Sequence, residues 1–141
     1  MLRAMASAPT HRVLLVDDDP VIVRLLEVNF RLEGYAIETA TRGDEALEKA
    51  KANRPDLIVL DVMMPGIDGW EVCRRLREDP ALADVPVIFL SARAQEDDRE
   101  RGRALGVVDY LTKPFDPTAL LETVRVHLGG APGEMGDDAG R

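Results

Sequence analysis

A single cysteine, Cys73, is all that this chain of 141 residues carries, so no intrachain disulfide can brace the fold. That scarcity fits a reducing compartment. No apolar run approaches the ~20 residues that a membrane-spanning helix needs. The stretch from Met1 to Thr10 lacks the apolar core of a signal peptide, so the default location is cytoplasmic. Basic residues are in short supply as well: 18 Lys and Arg stand against 26 Asp and Glu, a formal charge of −8. That sign argues against a phosphate backbone or an anionic lipid as the main partner, and it suits a cation site or a basic protein surface.

What is present describes an ordinary globular domain. Hydrophobic residues make up 45% and charged residues 31%. A chain of this length makes one domain and buries about two-thirds of its unfolded surface. Strand and helix patterns alternate along it. Val13–Val16, Tyr35–Ala40, Leu57–Leu60, Val87–Leu90 and Val108–Thr112 read as strands. The unbroken apolar runs among them predict burial on both faces. Helices are predicted from Pro20 to just before Gly34, with Val21, Leu25, Val28 and Leu32 at helical spacing. Others span Asp44–Asn53, Asp68 or Gly69 to Glu78, Glu96–Leu105 and Pro117–Leu128. Asp19 before Pro20 fits a helix cap. Five such units give an α/β, doubly wound parallel sheet with helices on both faces.

Polar groups stand where the strands end: Asp17-Asp18-Asp19, Asp61, Ser91 and Lys113. In a parallel sheet those ends share one edge, where open α/β sheets place their ligands. Carboxylates gathered there repel each other unless a cation lies between them. Oxygen-only ligands of this kind suit Mg²⁺. Lys113 and Ser91 add two donors, which together make equipment for stabilising a transferring phosphoryl group.

Four segments carry a family likeness: Leu14–Asp18, Leu60–Gly69, Leu90-Ser91-Ala92 and Tyr110–Phe115. In order, each at a strand end, they resemble the signatures of response-regulator receiver domains, of the single-domain chemotaxis-regulator kind. The likeness covers Arg12 to Leu128, nearly the whole chain. It implies a flavodoxin-like (βα)5 sheet of strand order 2-1-3-4-5 and a phosphoprotein in two-component phosphorelay signalling. It also implies a role for each matched residue. Asp61 would be the phosphoacceptor, attacking a phosphohistidine on a sensor histidine kinase or phosphotransfer protein. Asp18 and Asp61, with the Met63 backbone carbonyl, would bind Mg²⁺ directly, and Asp17 mainly through water. Lys113 would pair with Asp61 or the phosphoryl oxygens. Ser91 and Tyr110 would form the switch, and Met63 and Arg93 would tune phosphate lifetime. The chain would not be an enzyme for other molecules, although it would catalyse its own phosphorylation and dephosphorylation.

Plainer readings stand beside these. Asp19 is a cap, Cys73 a small core residue, Trp70 a packed or partly exposed ring, and Tyr110 as readily a strand aromatic. Gln95–Arg103 is a solvated helix face, or a partner surface next to the Ser91 loop. Neither His11 nor His127 looks like a phosphohistidine. A rival enzyme reading takes Asp17-x-Asp19 as the nucleophile motif of a haloacid-dehalogenase-like phosphatase, with Asp17 attacking. It leaves Asp61 unexplained and finds no late acidic pair at a strand end. A nucleotide or flavin module would need a Gly- or Ser/Thr-rich loop after the first strand, where three aspartates stand.

The expected organisation is an N-terminal extension over 1–10, a receiver over 11–128, and a Gly-rich disordered tail or linker stub over 129–141. With no helix-turn-helix, direct DNA binding is not expected. Output is expected through an unidentified downstream protein. Ala119 and Thr123 stand where winged-helix relatives carry a dimer-pairing acid and base, which favours a monomer or weak dimer.

Overall fold

Unbroken apolar runs account for the centre of the molecule. The computed structural model describes residues 10–93 and 95–128; the expected extension up to Pro9 and the tail from Gly129 lie outside them. The strands are β1 (Arg12–Val16), β2 (Ala36–Ala40), β3 (Leu57–Asp61), β4 (Val87–Ser91) and β5 (Asp109–Thr112). Between and after them come α1 (Pro20–Leu32), α2 (Gly43–Ala52), α3 (Gly69–Glu78), α4 (Glu96–Ala104) and α5 (Pro117–His127). All pairings are parallel and the order is β2-β1-β3-β4-β5, the expected 2-1-3-4-5 sheet.

Two apolar layers sandwich that sheet. Val13, Leu15, Leu57, Val59, Ile88 and Leu90 pack with Leu26 and Phe30 of α1 and Leu120, Leu121 and Val124 of α5. Leu14, Val16, Ile58, Leu60, Val87 and Phe89 pack on the other side with Ala46, Leu47 and Ala50 of α2 and Trp70, Val72, Cys73 and Leu76 of α3. Every residue of β3 and β4 is buried, because helices cover both faces. Three helices, α1, α3 and α5, begin on aspartate caps: Asp19 accepts from the Val21 N–H, Asp68 from Glu71 and Asp116 from Thr118.

The apolar residues read at helical spacing on α1 face solvent. Val21 and Leu32 are 74% and 80% exposed, and Leu25 and Val28 are also exposed. Val23, Leu26 and Phe30 turn inward instead. Apolar residues occupy so much of this helix that two stripes satisfy the periodicity, and packing selects the one bearing Phe30.

Gly69 is required by a close approach at the start of α3. Its N–H donates to the Val62 carbonyl at 2.8 Å. A Cβ on Gly69 would stand 2.7 Å from the Asp61 carbonyl oxygen and 2.7 Å from Val62 Cα, both of them backbone atoms. Gly69→Ala is therefore expected to destabilise the fold by about 1–3 kcal/mol through overpacking. Urea denaturation checks it, and an unchanged midpoint would show that this turn relaxes freely.

Candidate functional site

The strands deliver their terminal residues to one edge. Asp17 directly follows β1, Asp61 closes β3, Ser91 closes β4, and Lys113 directly follows β5. Asp17 and Asp61 are 1% and 3% exposed, whereas Asp18 faces solvent. Oxygens of Asp17, Asp18 and Asp61 lie within 4.8 Å of one another. Lys113 Nζ donates to Asp17 Oδ2 at 2.7 Å and reaches Asp61 Oδ2 at 3.3 Å. Local turns hold the acids in place: the Asp19 N–H donates to Asp17 Oδ1 at 2.9 Å, and the Met63 N–H to Asp61 Oδ1 at 3.2 Å. The Lys113–Pro114 peptide bond is cis.

The electrostatics are out of balance. Three carboxylates face one ammonium, an excess of two negative charges. Burial, and then the charge of Asp17, push the Asp61 carboxyl up from 3.8 to about 7; Lys113 and the Met63 N–H oppose them without prevailing. For Lys113, burial pulls downward, but hydrogen bonding and attraction to Asp17 and Asp61 hold its ammonium above the usual lysine range. A divalent cation with a preference for oxygen fits this donor set: it matches the excess charge and removes the repulsion between Asp17 and Asp61.

A pH-dependent metal effect follows. Protons compete with the cation for Asp61 near pH 5 and far less at pH 8. Mg²⁺ at about 100 times its dissociation constant is expected to raise Tm by roughly 5–10 °C at pH 8, with a smaller shift at pH 5. A thermal melt in Mg²⁺ against EDTA at each pH checks this, and equal shifts would contradict it.

Ser91 bonds into the loop that follows it. Its Oγ accepts from the Arg93 N–H at 2.9 Å, while the hydroxyl retains its own proton for donation. Tyr110 is buried and donates from its hydroxyl to the Arg93 carbonyl at 2.6 Å. Burial pushes its phenol up, so it remains a donor. Ser91 and Tyr110 thus hold the same residue, one at its N–H and the other at its carbonyl.

Three further features escaped the sequence reading. Asp98 is buried within the charged stretch, accepts from the Gln95 N–H at 3.2 Å, and pairs with Arg93 at 3.4 Å. Arg99 donates inward to the Tyr110 carbonyl and Thr112 Oγ1. Arg101 lies over the Trp70 ring at 4.1 Å. An acid three residues after a polar cap position was the one available signal, for Asp98; Gln95 is a weak cap type and hid it. The phosphatase reading is not favoured, since it leaves without a role the buried Asp61 that Lys113 also reaches.

Comparison with known proteins agrees with this geometry. The family profile described as "Response regulator receiver domain" matches residues 13–125. The alkaline phosphatase synthesis transcriptional regulatory protein PhoP of Bacillus subtilis is 45% identical over 117 residues, covering 83% of this chain and 48% of that protein. The phosphate regulon transcriptional regulatory protein PhoB of Rhizobium meliloti is 40% identical over 124 residues, covering 88% of this chain and 55% of that protein. The chain therefore spans about half the length of these curated relatives. Among solved structures, chemotaxis protein CheY4 of Vibrio cholerae superposes with a TM-score of 0.80 at 34% identity, covering 84% of this chain and 98% of that one. Sheet order, strand-end acids, profile and relatives converge: this chain belongs to the response regulator receiver domain family.

Proposed function

We propose that Asp61 is the phosphoacceptor of a two-component relay, taking a phosphoryl group from a phosphohistidine of a sensor kinase or phosphotransfer protein. The observation that carries this reading is the convergence of Lys113 Nζ on Asp17 and Asp61, with Asp18 within reach. An Asp61 oxygen attacks phosphorus, the bond from phosphorus to the donor breaks, and the donor departs with the electron pair and takes up a proton. The product is an acyl phosphate. Asp17, Asp18, Asp61 and the Met63 carbonyl hold Mg²⁺, which when bound offsets charge on the phosphoryl oxygens. Lys113 is already aimed at Asp61 and pairs with the same oxygens. Ser91 donates its hydroxyl proton to the phosphoryl group and draws Arg93 with it. Because Tyr110 bonds the Arg93 carbonyl, that displacement reaches the switch ring.

The site catalyses its own phosphorylation and returns to rest by hydrolysis of the acyl phosphate, with Met63 and Arg93 setting the lifetime. The working unit is 11–128, flanked by an extension over 1–10 and a tail or linker over 129–141, in the cytoplasm. Among the described residues no helix is long and apolar enough to cross a membrane. Output passes to a downstream protein, with no direct DNA contact by this chain. Ala119 and Thr123 on α5, in place of a pairing acid and base, support a monomer or weak dimer. The test is incubation with acetyl phosphate and Mg²⁺. The chain is expected to retain one phosphate as an acyl phosphate. Continuous release of phosphate with label on Asp17 would install the phosphatase reading instead.

A further inference from the structure

Helix α4 has no apolar side chain larger than alanine, and only Asp98 and Gly102 on it are buried. Each other helix buries at least three apolar side chains, such as Val23, Leu26 and Phe30 on α1. Apolar burial is what normally holds a short helix in place. Here two guanidinium groups over aromatic rings take its place. Arg101 lies 4.1 Å from the centre of the Trp70 ring, and Arg99 lies 5.3 Å from that of Tyr110. Between them Gly102 brings the helix onto the rings: a Cβ there would stand 3.4 Å from Tyr110 and 3.6 Å from Phe89. The rings form a row, Trp70 edge-on to Phe89 at 5.1 Å and Phe89 edge-on to Tyr110 at 5.8 Å.

The two anchors answer to different parts of the molecule. Arg99 rests on Tyr110, and Asp98 pairs with Arg93, so the first turns of α4 are tied to the residue that Ser91 holds. Arg101 rests on Trp70 of α3, whose ring is fixed against Phe89 and whose contact includes nothing from the Ser91 loop. We propose that the Arg101–Trp70 contact is a fixed pivot for α4: it persists in both states, while the contacts of Asp98 and Arg99 are remade when Asp61 is phosphorylated. Arg101 is thus a positioning residue of the switch. The proposal deepens the phosphoacceptor reading and rests on it.

Amide hydrogen exchange on the full chain tests it in two arms. Without a phosphodonor, Arg101→Gln is expected to speed exchange over residues 102–105 about two- to fivefold, the scale of an exposed cation over a ring. Arg101→Lys, which keeps a cation, should change it less than twofold. Arg103→Gln, whose partner Glu96 is exposed, should leave it unchanged. Trp70→Phe keeps a ring against Phe89 with a weaker cation face, and should act in the same direction as Arg101→Gln. Unchanged amides in α1 and α5 show the loss to be local. Arg101→Gln behaving like Arg103→Gln overturns the anchor.

In the second arm, acetyl phosphate and Mg²⁺ are expected to change protection at Arg99 and Glu100 and leave residues 103–105 as they were. In Arg101→Gln the change should spread along the whole helix. A uniform change along α4 in the unaltered chain overturns the pivot. Intact mass shows whether the chain carries phosphate. An unlabelled chain removes the phosphoacceptor reading and the swing with it, while the first arm still decides the anchor.

Discussion

Asp61→Asn is expected to take up no phosphate from acetyl phosphate and, in the same preparation, to be more stable than the unaltered chain in EDTA at pH 8. The first effect is a loss of at least about 10³-fold, because an amide oxygen is no nucleophile. The second effect follows from the charge imbalance. Burial and Asp17 raise the folded-state pKa of Asp61 to about 7, whereas an unfolded Asp titrates near 3.9. Between those values the folded protein binds more protons than the unfolded one. Stability therefore falls as pH rises from about 4 to 7, and the loss stays in place above 7. Asparagine removes that penalty and retains an acceptor for the Met63 N–H, so a gain on the order of 2–3 kcal/mol is expected at pH 8, shrinking toward zero near pH 4. Urea midpoints at the two pH values measure it. A variant less stable at pH 8 would mean that the Asp61 carboxylate is a net contributor to the metal-free fold.

Lys113→Ala is expected to slow phosphorylation by about 10²-fold, the scale for removing one charged donor from a developing anion. It should also destabilise the metal-free protein by about 2–4 kcal/mol at pH 8, because two buried carboxylates lose their shared cation. The cost should be smaller at pH 5, where Asp61 holds its proton. Combining Lys113→Ala with Asp61→Asn should recover much of the stability and none of the activity. That non-additivity is the signature of direct coupling between the two groups. Additive stability effects would show that Lys113 serves Asp17 alone.

The strand-end acids were legible in sequence because a parallel sheet turns linear order into proximity: once Val13–Val16, Leu57–Leu60 and Val108–Thr112 are strands, Asp17, Asp61 and Lys113 must meet. The helix spans were legible for a related reason, since Pro20, Gly34 and Pro117 punctuate them. The buried face of α1 was not. Val21, Leu25, Val28 and Leu32 satisfy helical spacing as well as Val23, Leu26 and Phe30 do, and only packing against the sheet decides between them. The exposed stripe is an apolar face on the finished molecule. The grip of α4 was hidden too. A guanidinium over a ring far along the chain obeys no spacing rule, so Arg101 and Trp70 read as a solvated charge and a loosely placed aromatic until the fold brought them together. Ser91 shows the opposite case. Its place at the strand end was readable, but its hydrogen bond to the Arg93 N–H belongs to a loop geometry that sequence does not encode simply.

The most direct test is to locate the phosphate. The unaltered chain is incubated with acetyl phosphate and Mg²⁺, the acyl phosphate is reduced with borohydride, and peptides are sequenced by mass spectrometry. The account predicts homoserine at position 61 alone, dependent on Mg²⁺ and absent in EDTA. Modification at Asp17 or Asp18, or no retained phosphate while acetyl phosphate is consumed, would contradict it.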